Sequence, residues 1–336
     1  MSKSKKKYAL KLNNALELHK KGLLDDAQKI YLDILNDDEN NFDANHLLGI
    51  IKLSKNEFHK AINLFKKGIL INSTEAKIFN HLAIAEMGVN KLDSAYKNIQ
   101  DALKLNPNLA EAHNNLGLYY EKMLENKKAL QAWNTAAMLK PNYLEAKINI
   151  ANLNLKEGNL HNAISLYEDI LSSSPNHSVV LNNLGAALIQ NNEMERALKL
   201  LHHACSIDQN YFDAHHNLGD IYIQLKKYED AIEVLLRTLQ IKPNSVEVHN
   251  KIAISYQEIG NIKNAYMHYC KAINLDPHNK NCLSNLAKLI SENHSEITQD
   301  KNLEIYLSQI MKKEGAYNPR EISKYFELKI KKKLLS

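Results

Sequence analysis

The sequence predicts an all-α fold, a solenoid of tandem helical hairpins, and three observations carry that prediction. Ten glycines and six prolines in 336 residues leave too few turn formers for a fold of many short strands. Ala27, Ala61, Ala95, Ala129, Ala163, Ala197, Ala231 and Ala265 recur eight times at intervals of 34 residues without an insertion. Within each half of that period the apolar residues fall at helical spacing. Five of the prolines keep the same step, at Pro107, Pro141, Pro175, Pro243 and Pro277, and so do Gly49, Gly117, Gly185 and Gly219. A period of this length marks a repeat architecture, in which each unit buries one face against its neighbour.

From the N-terminus, residues 1–7 form a basic tail, MSKSKKK. The next residues, YALKLNNALELHKK, contain no uninterrupted apolar stretch and no small-residue cleavage site, so the N-terminus does not read as a secretory leader. The repeats occupy eight units, 8–41, 42–75, 76–109, 110–143, 144–177, 178–211, 212–245 and 246–279. Each reads as two helices. Unit position seven carries large apolar residues, from Leu48 to Leu286, and position eight only alanine or glycine, which allows two helix axes to approach closely. Position twenty-four is again large: Tyr31, Phe65, Ile99, Trp133, Tyr167, Leu201, Leu235 and Tyr269. Pro-Asn at 107–108, 141–142 and 243–244 is expected to stop the second helix, because proline lacks the donor and disfavours helix before it. Residues 280–336 open with a partial ninth unit over 280–292, and a helix is expected over 302–312. Asn318-Pro319 then caps a last helix carrying Ile322, Tyr325, Phe326, Ile330 and Leu334. This segment is expected to cap the open end of the stack.

The pattern of Leu116, Gly117, Tyr120, Ala129, Trp133, Ala136 and Pro141, repeated over four fifths of the chain, resembles that of tetratricopeptide repeat (TPR) proteins. The resemblance implies a right-handed superhelix whose first helices line a concave groove. Departures fall early: Asn14, Lys52 and Glu86 stand where apolar or aromatic residues are usual, and Glu39 and Ser73 replace proline, so the first two units are expected to pack less tightly.

Position six lies on those first helices. It reads Asn13, Leu47, His81, Asn115, Asn149, Asn183, Asn217, Lys251 and Asn285. An asparagine amide offers one acceptor and two donors, the complement of a peptide group, so a row of them suits an extended polypeptide regardless of its side chains. The segments AEAHNNLGLYY, VLNNLGAAL and DAHHNLGDIY are similar to the repeat domain of O-linked N-acetylglucosamine transferase and its bacterial relatives. That resemblance implies ligand contact by Asn115, Asn149, Asn183, Asn217 and Asn285, with Asp220 adding specificity. The other reading is that such asparagines bridge adjacent helices. Position two is mostly acidic, at Asp43, Glu111, Glu145, Asp213 and Glu247, which speaks against a carboxylate clamp and for a ligand of basic character.

Other functions find little support. Net charge is +5, from 43 basic and 38 acidic residues, too mixed for a nucleic-acid partner, and no run approaches the length of a membrane span. Three cysteines without a CxxC pair do not form a disulfide framework, which places the chain by default in the cytoplasm. His202, His203, Cys205, His215 and His216 cluster in sequence, but adjacent histidines on a helix point about 100° apart and make poor chelators. No phosphate-binding, zincin or hydrolase motif occurs, so no cofactor, metal or catalytic activity is expected. The expectation is a monomeric interaction scaffold. The rival reading makes the chain the substrate-recruiting arm of a glycosyl-, sulfo- or methyltransferase acting in trans. A third, an RNA-binding helical repeat, is opposed by the acidic inner rim.

Overall fold

The structure, a computed structural model, describes residues 3–293 together with Ile297 and Tyr306. The described residues form seventeen helices and no strand. The chain divides into two compact units, Met1–Asn159 and Leu160–Ser336.

The first unit holds α1 (Lys3–Lys20), α2 (Leu24–Asp37), α3 (Phe42–Ser54), α4 (Phe58–Ile71), α5 (Ala76–Gly88), α6 (Leu92–Leu105), α7 (Ala110–Lys122), α8 (Asn126–Leu139) and α9 (Leu144–Lys156). Consecutive helices pack against one another, and the first helices of successive hairpins also meet, α3 on α5 and α5 on α7. The second unit holds α10 (Leu160–Ser173), α11 (Ser178–Gln190), α12 (Met194–Ile207), α13 (Phe212–Gln224), α14 (Tyr228–Ile241), α15 (Val246–Glu258), α16 (Ile262–Leu275) and α17 (Lys280–Glu292). Its hairpins repeat the arrangement, with α11 on α13 and α15 on α17.

The small residue at position eight has a definite neighbour. A Cβ added to Gly49, Gly117, Gly185 or Gly219 would lie closer than 3 Å to Phe65, Trp133, Leu201 or Leu235 respectively. Each of these is the position-twenty-four side chain of the same hairpin, so the large residue of the second helix occupies the space above the small residue of the first. Trp133 and Phe65 are fully buried in this way, and Tyr31, Tyr167 and Tyr269 at the same position are also fully buried. Tyr31 and Phe65 belong to the first two hairpins, whose cores are closed despite their weaker consensus. Asn14 faces solvent there, and Lys52 is satisfied by Glu57 at 3.0 Å and Gln28 at 2.8 Å.

Glycine scarcity is explained by the turns. Every turn within a hairpin places position fifteen in the left-handed region: Gly22, Asn56, Asn90, Leu124, Gly158, Asn192, Lys226 and Gly260, with φ between 57° and 78°. Five of the eight are not glycine. The amide of the next residue then bonds back into the helix end, as Glu125 N does to Tyr120 O at 2.8 Å. Proline proves dispensable for the opposite turn. Helices α2, α4 and α12 end in the same register as the others although Glu39, Ser73 and Gln209 stand at the proline position.

At the C-terminal end, Ile297 and Tyr306 are buried against the cluster of Tyr266, Tyr269, Leu283 and Ile290. The Tyr306 hydroxyl lies 3.3 Å from Asn274 Oδ1. The rest of the helix expected over 302–312, and the last helix beginning at Asn318, lie outside the described residues.

Candidate functional site

The position-six residues form rungs with position five of the preceding hairpin, a separation of 35 residues, one more than the repeat. In the first unit His46 Nε2 meets His81 Nδ1 at 2.8 Å, Asn115 Nδ2 donates to Asn80 Oδ1 at 2.7 Å, and Asn149 Nδ2 donates to Asn114 Oδ1 at 3.0 Å. In the second, Asn217 Nδ2 donates to Asn182 Oδ1 at 2.8 Å, Lys251 Nζ meets His216 Nε2 at 2.8 Å, and Asn285 Nδ2 donates to Asn250 Oδ1 at 3.1 Å. These are two series of three rungs, one in each unit, each rung joining successive first helices. Helix geometry accounts for the offset: positions five and six sit about 100° apart, so one faces the following hairpin and the other the preceding one.

Four of the six residues that the sequence nominates, Asn115, Asn149, Asn217 and Asn285, are therefore rung donors. Each bond uses one N–H and leaves the amide with its carbonyl and a second N–H. Asn115 is buried and the other three are half-buried. Asn183 behaves differently, since its Oδ1 accepts from Asn182 Nδ2 at 3.1 Å and it hydrogen-bonds the Tyr167 hydroxyl. Asp220 is bound at 2.6 Å to Lys251, which also reaches Glu247 at 2.8 Å. The acidic series at position two is partly neutralised in the same manner. Glu247 is held below the usual carboxylate range chiefly by its hydrogen bond from Lys251, and Glu111 bonds Lys140 at 2.9 Å.

Burial pushes His46 and His81 down to about 4, with Lys77 lowering both further and His46 adding to the effect on His81. Both are neutral at pH 7, which lets one ring nitrogen donate and the other accept in their rung. A second buried imidazole pair, His249 and His268, meets Nδ1 to Nδ1 at 3.0 Å between α15 and α16, and burial lowers both. Three of the five residues weighed as a metal cluster are engaged separately, and no group of His, Cys, Asp or Glu among the described residues is placed to hold a metal ion. His202 bonds the Tyr222 hydroxyl at 2.9 Å, His215 the Gln209 carbonyl at 3.2 Å, and His216 the Lys251 ammonium. Burial raises the Cys205 thiol to about 11.

Sequence reasoning missed position five. Its signal was present as Asn80, Asn114, Asn182 and Asn250 with His46 and His216, and its pairing with position six shows when the chain is compared with itself at 35 residues instead of 34.

This arrangement, helical hairpins of 34 residues with a small residue at eight and a large one at twenty-four, defines a tetratricopeptide-type all-α repeat fold. Residues 246–279 match the tetratricopeptide repeat family, 219–260 a second TPR repeat family, and 156–238 the family described as anaphase-promoting complex, cyclosome, subunit 3. No curated protein matches the sequence. Among solved structures the chain is similar to that of the APC/C hetero-tetramer Cut9–Hcn1, with a TM-score of 0.66 and 21% identity over 84% of this chain and 55% of that one. It thus spans about half the length of that relative, and the likeness is one of fold. Two crystal structures of MamA are also similar, with TM-scores of 0.45 and 0.40 and identities of 21% and 26%. They cover 50% and 48% of this chain, and 92% and 94% of their own. Among the described residues no helix is long and apolar enough to cross a membrane.

Proposed function

We propose that this chain is a protein-interaction scaffold that holds an extended polypeptide along the rung-bearing faces of its first helices. The observation that supports the reading is the valence left at position six. After its rung is made, each asparagine keeps one donor and one acceptor, the pair that a peptide group needs. Asn149, Asn217 and Asn285 are the contacts with most surface to offer, and Asn115 contributes through what its burial leaves accessible. Asp220 acts as the fixed counter-ion of Lys251, whose three donors are taken by Asp220, Glu247 and His216, and adds negative charge for a ligand of basic character.

The asparagine series also supports a second reading, in which the same face recruits substrates for a transferase supplied by another chain. The two readings differ in the identity of the captured protein, not in the groove.

The test is photo-crosslinking from native lysate, followed by synthesis of the captured segment and measurement of its affinity. Alanine at Asn149, Asn217 and Asn285 is expected to abolish binding. Alanine at Asn114, Asn182 and Asn250, which removes the same rungs from the other side, is expected to leave binding measurable. Equal loss in both triple variants, with circular dichroism showing equal unfolding, would mean that the asparagines only hold the helices together.

A further inference from the structure

Glu86 is out of place. It occupies position eleven of its hairpin, where the other units carry Leu18, Lys52, Tyr120, Asn154, Leu188, Tyr222 and Tyr256. Among the described residues it is the one buried carboxylate, with 3% of its surface exposed. A carboxylate has about four acceptor sites. Glu86 fills one, with the neutral Asn98 amide, whose Nδ2 donates to Oε2 at 2.8 Å and also bonds Ser94 O at 3.0 Å. Lys52, the other charged residue at this position, shows the contrast: it has Glu57 and Gln28 around it.

The carboxylate opens onto a cleft of about 530 Å³ between α4, α5 and α6. Ile69, Leu70, Phe79 and Leu82 form its apolar wall, and Leu70 is 88% exposed. Lys66 and Lys97 stand at the rim and make no ion pair with Glu86 among the described residues, while Asp101 there is bound to Lys104 at 3.0 Å. No rung residue lines the cleft, so it is separate from the rung-bearing face.

We propose that this cleft is a docking pocket for an arginine side chain of a partner protein, with Glu86 as its counter-ion. An arginine stem is apolar and its head is a planar fork of donors, so the wall would cover the methylenes while the open carboxylate oxygen receives the guanidinium. The charge order, negative at the floor and positive at the rim, fits an arginine flanked by an acidic residue.

The test uses the full chain labelled at isoleucine and leucine methyls, titrated with N-acetyl-arginine methylamide and, in parallel, with its neutral isostere N-acetyl-citrulline methylamide. The arginine compound is expected to shift Ile69, Leu70 and Leu82 saturably, and citrulline is not. Glu86→Gln keeps the acceptor for Asn98 and should retain the melting temperature, while weakening arginine binding about tenfold or more, the loss of one charge-assisted hydrogen bond. Equal response to both compounds, unchanged binding by Glu86→Gln, or no saturable shift with either compound would each overturn the proposal. The last would mean that Lys66 or Lys97 of the same chain closes on the carboxylate.

Discussion

The Asn80–Asn115 rung lets the cost of one ladder bond be worked out. Asn80 is 3% exposed and Asn115 5%, and their amides meet at 2.7 Å. Asn115→Ala removes the donor and leaves the Asn80 carbonyl buried without a partner, which costs about 1–3 kcal/mol. Asn80→Ala strands the Asn115 amide at a similar cost. Removing both strands nothing, so the double variant loses only the net value of the bond and some packing, about 1–2 kcal/mol. Summed, the two single losses should therefore exceed the double loss by roughly 1–4 kcal/mol. The assay is urea unfolding followed by circular dichroism, with the slope of the transition compared across all four proteins, because repeat stacks depart readily from two-state behaviour. Additive single effects, or an Asn115→Ala variant within about 0.5 kcal/mol of the parent, a change typical of an uninvolved surface site, would refute the structural role of the rung.

Gly117→Ala is expected to destabilise by about 1–2 kcal/mol in thermal melts, because the added methyl would collide with the buried Trp133 indole and disturb its 3.1 Å bond to Asn114 O, outweighing alanine's better helix propensity. Leu124→Asn is expected to raise the melting temperature, since Leu124 sits at φ 60° with 80% of its surface exposed and gives up about 1 kcal/mol to left-handed strain. Tyr31→Phe is expected to be neutral or stabilising by up to about 1 kcal/mol, because the buried Tyr31 hydroxyl has no hydrogen-bond partner among the described residues; a loss greater than that in urea unfolding would contradict it. Acidification should weaken the first unit: His46 and His81 titrate near 4 in the fold against 6.5 in the unfolded chain, so their contribution is complete above about pH 6.5 and declines as pH falls toward 4. Between pH 7 and 5 the loss is on the order of 2 kcal/mol per histidine. His46→Asn with His81→Asn, which installs the amide rung used elsewhere, should flatten that pH dependence in paired melts.

Much of this architecture was legible because repetition multiplies weak signals. One alanine says little, but Ala27 to Ala265 at a constant step announces paired helices, and the first helices from α3 onward begin at that same step, at Phe42, Ala76, Ala110 and so on. What stayed hidden were relations that do not follow the period itself. The rung joins positions five and six across 35 residues, and a comparison at 34 cannot display it. The partner of the small position eight is the side chain sixteen residues on, because helix crossing decides which side chain overlies the gap. Asp220 was legible one helical turn beyond Asn217, while the Lys251 that holds it belongs to the next hairpin. Left-handed turns at Asn56, Leu124 and Lys226 carry no glycine to announce them. Proline is a weaker stop signal than its regular spacing suggests, since Glu39, Ser73 and Gln209 serve equally well.

The offset of the rungs has a further consequence for how such a chain changes length. Because each bond takes its acceptor from one module and its donor from the next, a module is compatible with any neighbour that keeps the same two letters. Excision of 110–143 would bring Asn80 beside Asn149 and restore an amide pair, and excision of 76–109 would set His46 beside Asn115, which can still bond. A cut of any other length would bring unlike positions together. The ladder acts as a reading frame written in hydrogen bonds, tolerant of gain or loss in whole modules and intolerant of fractions.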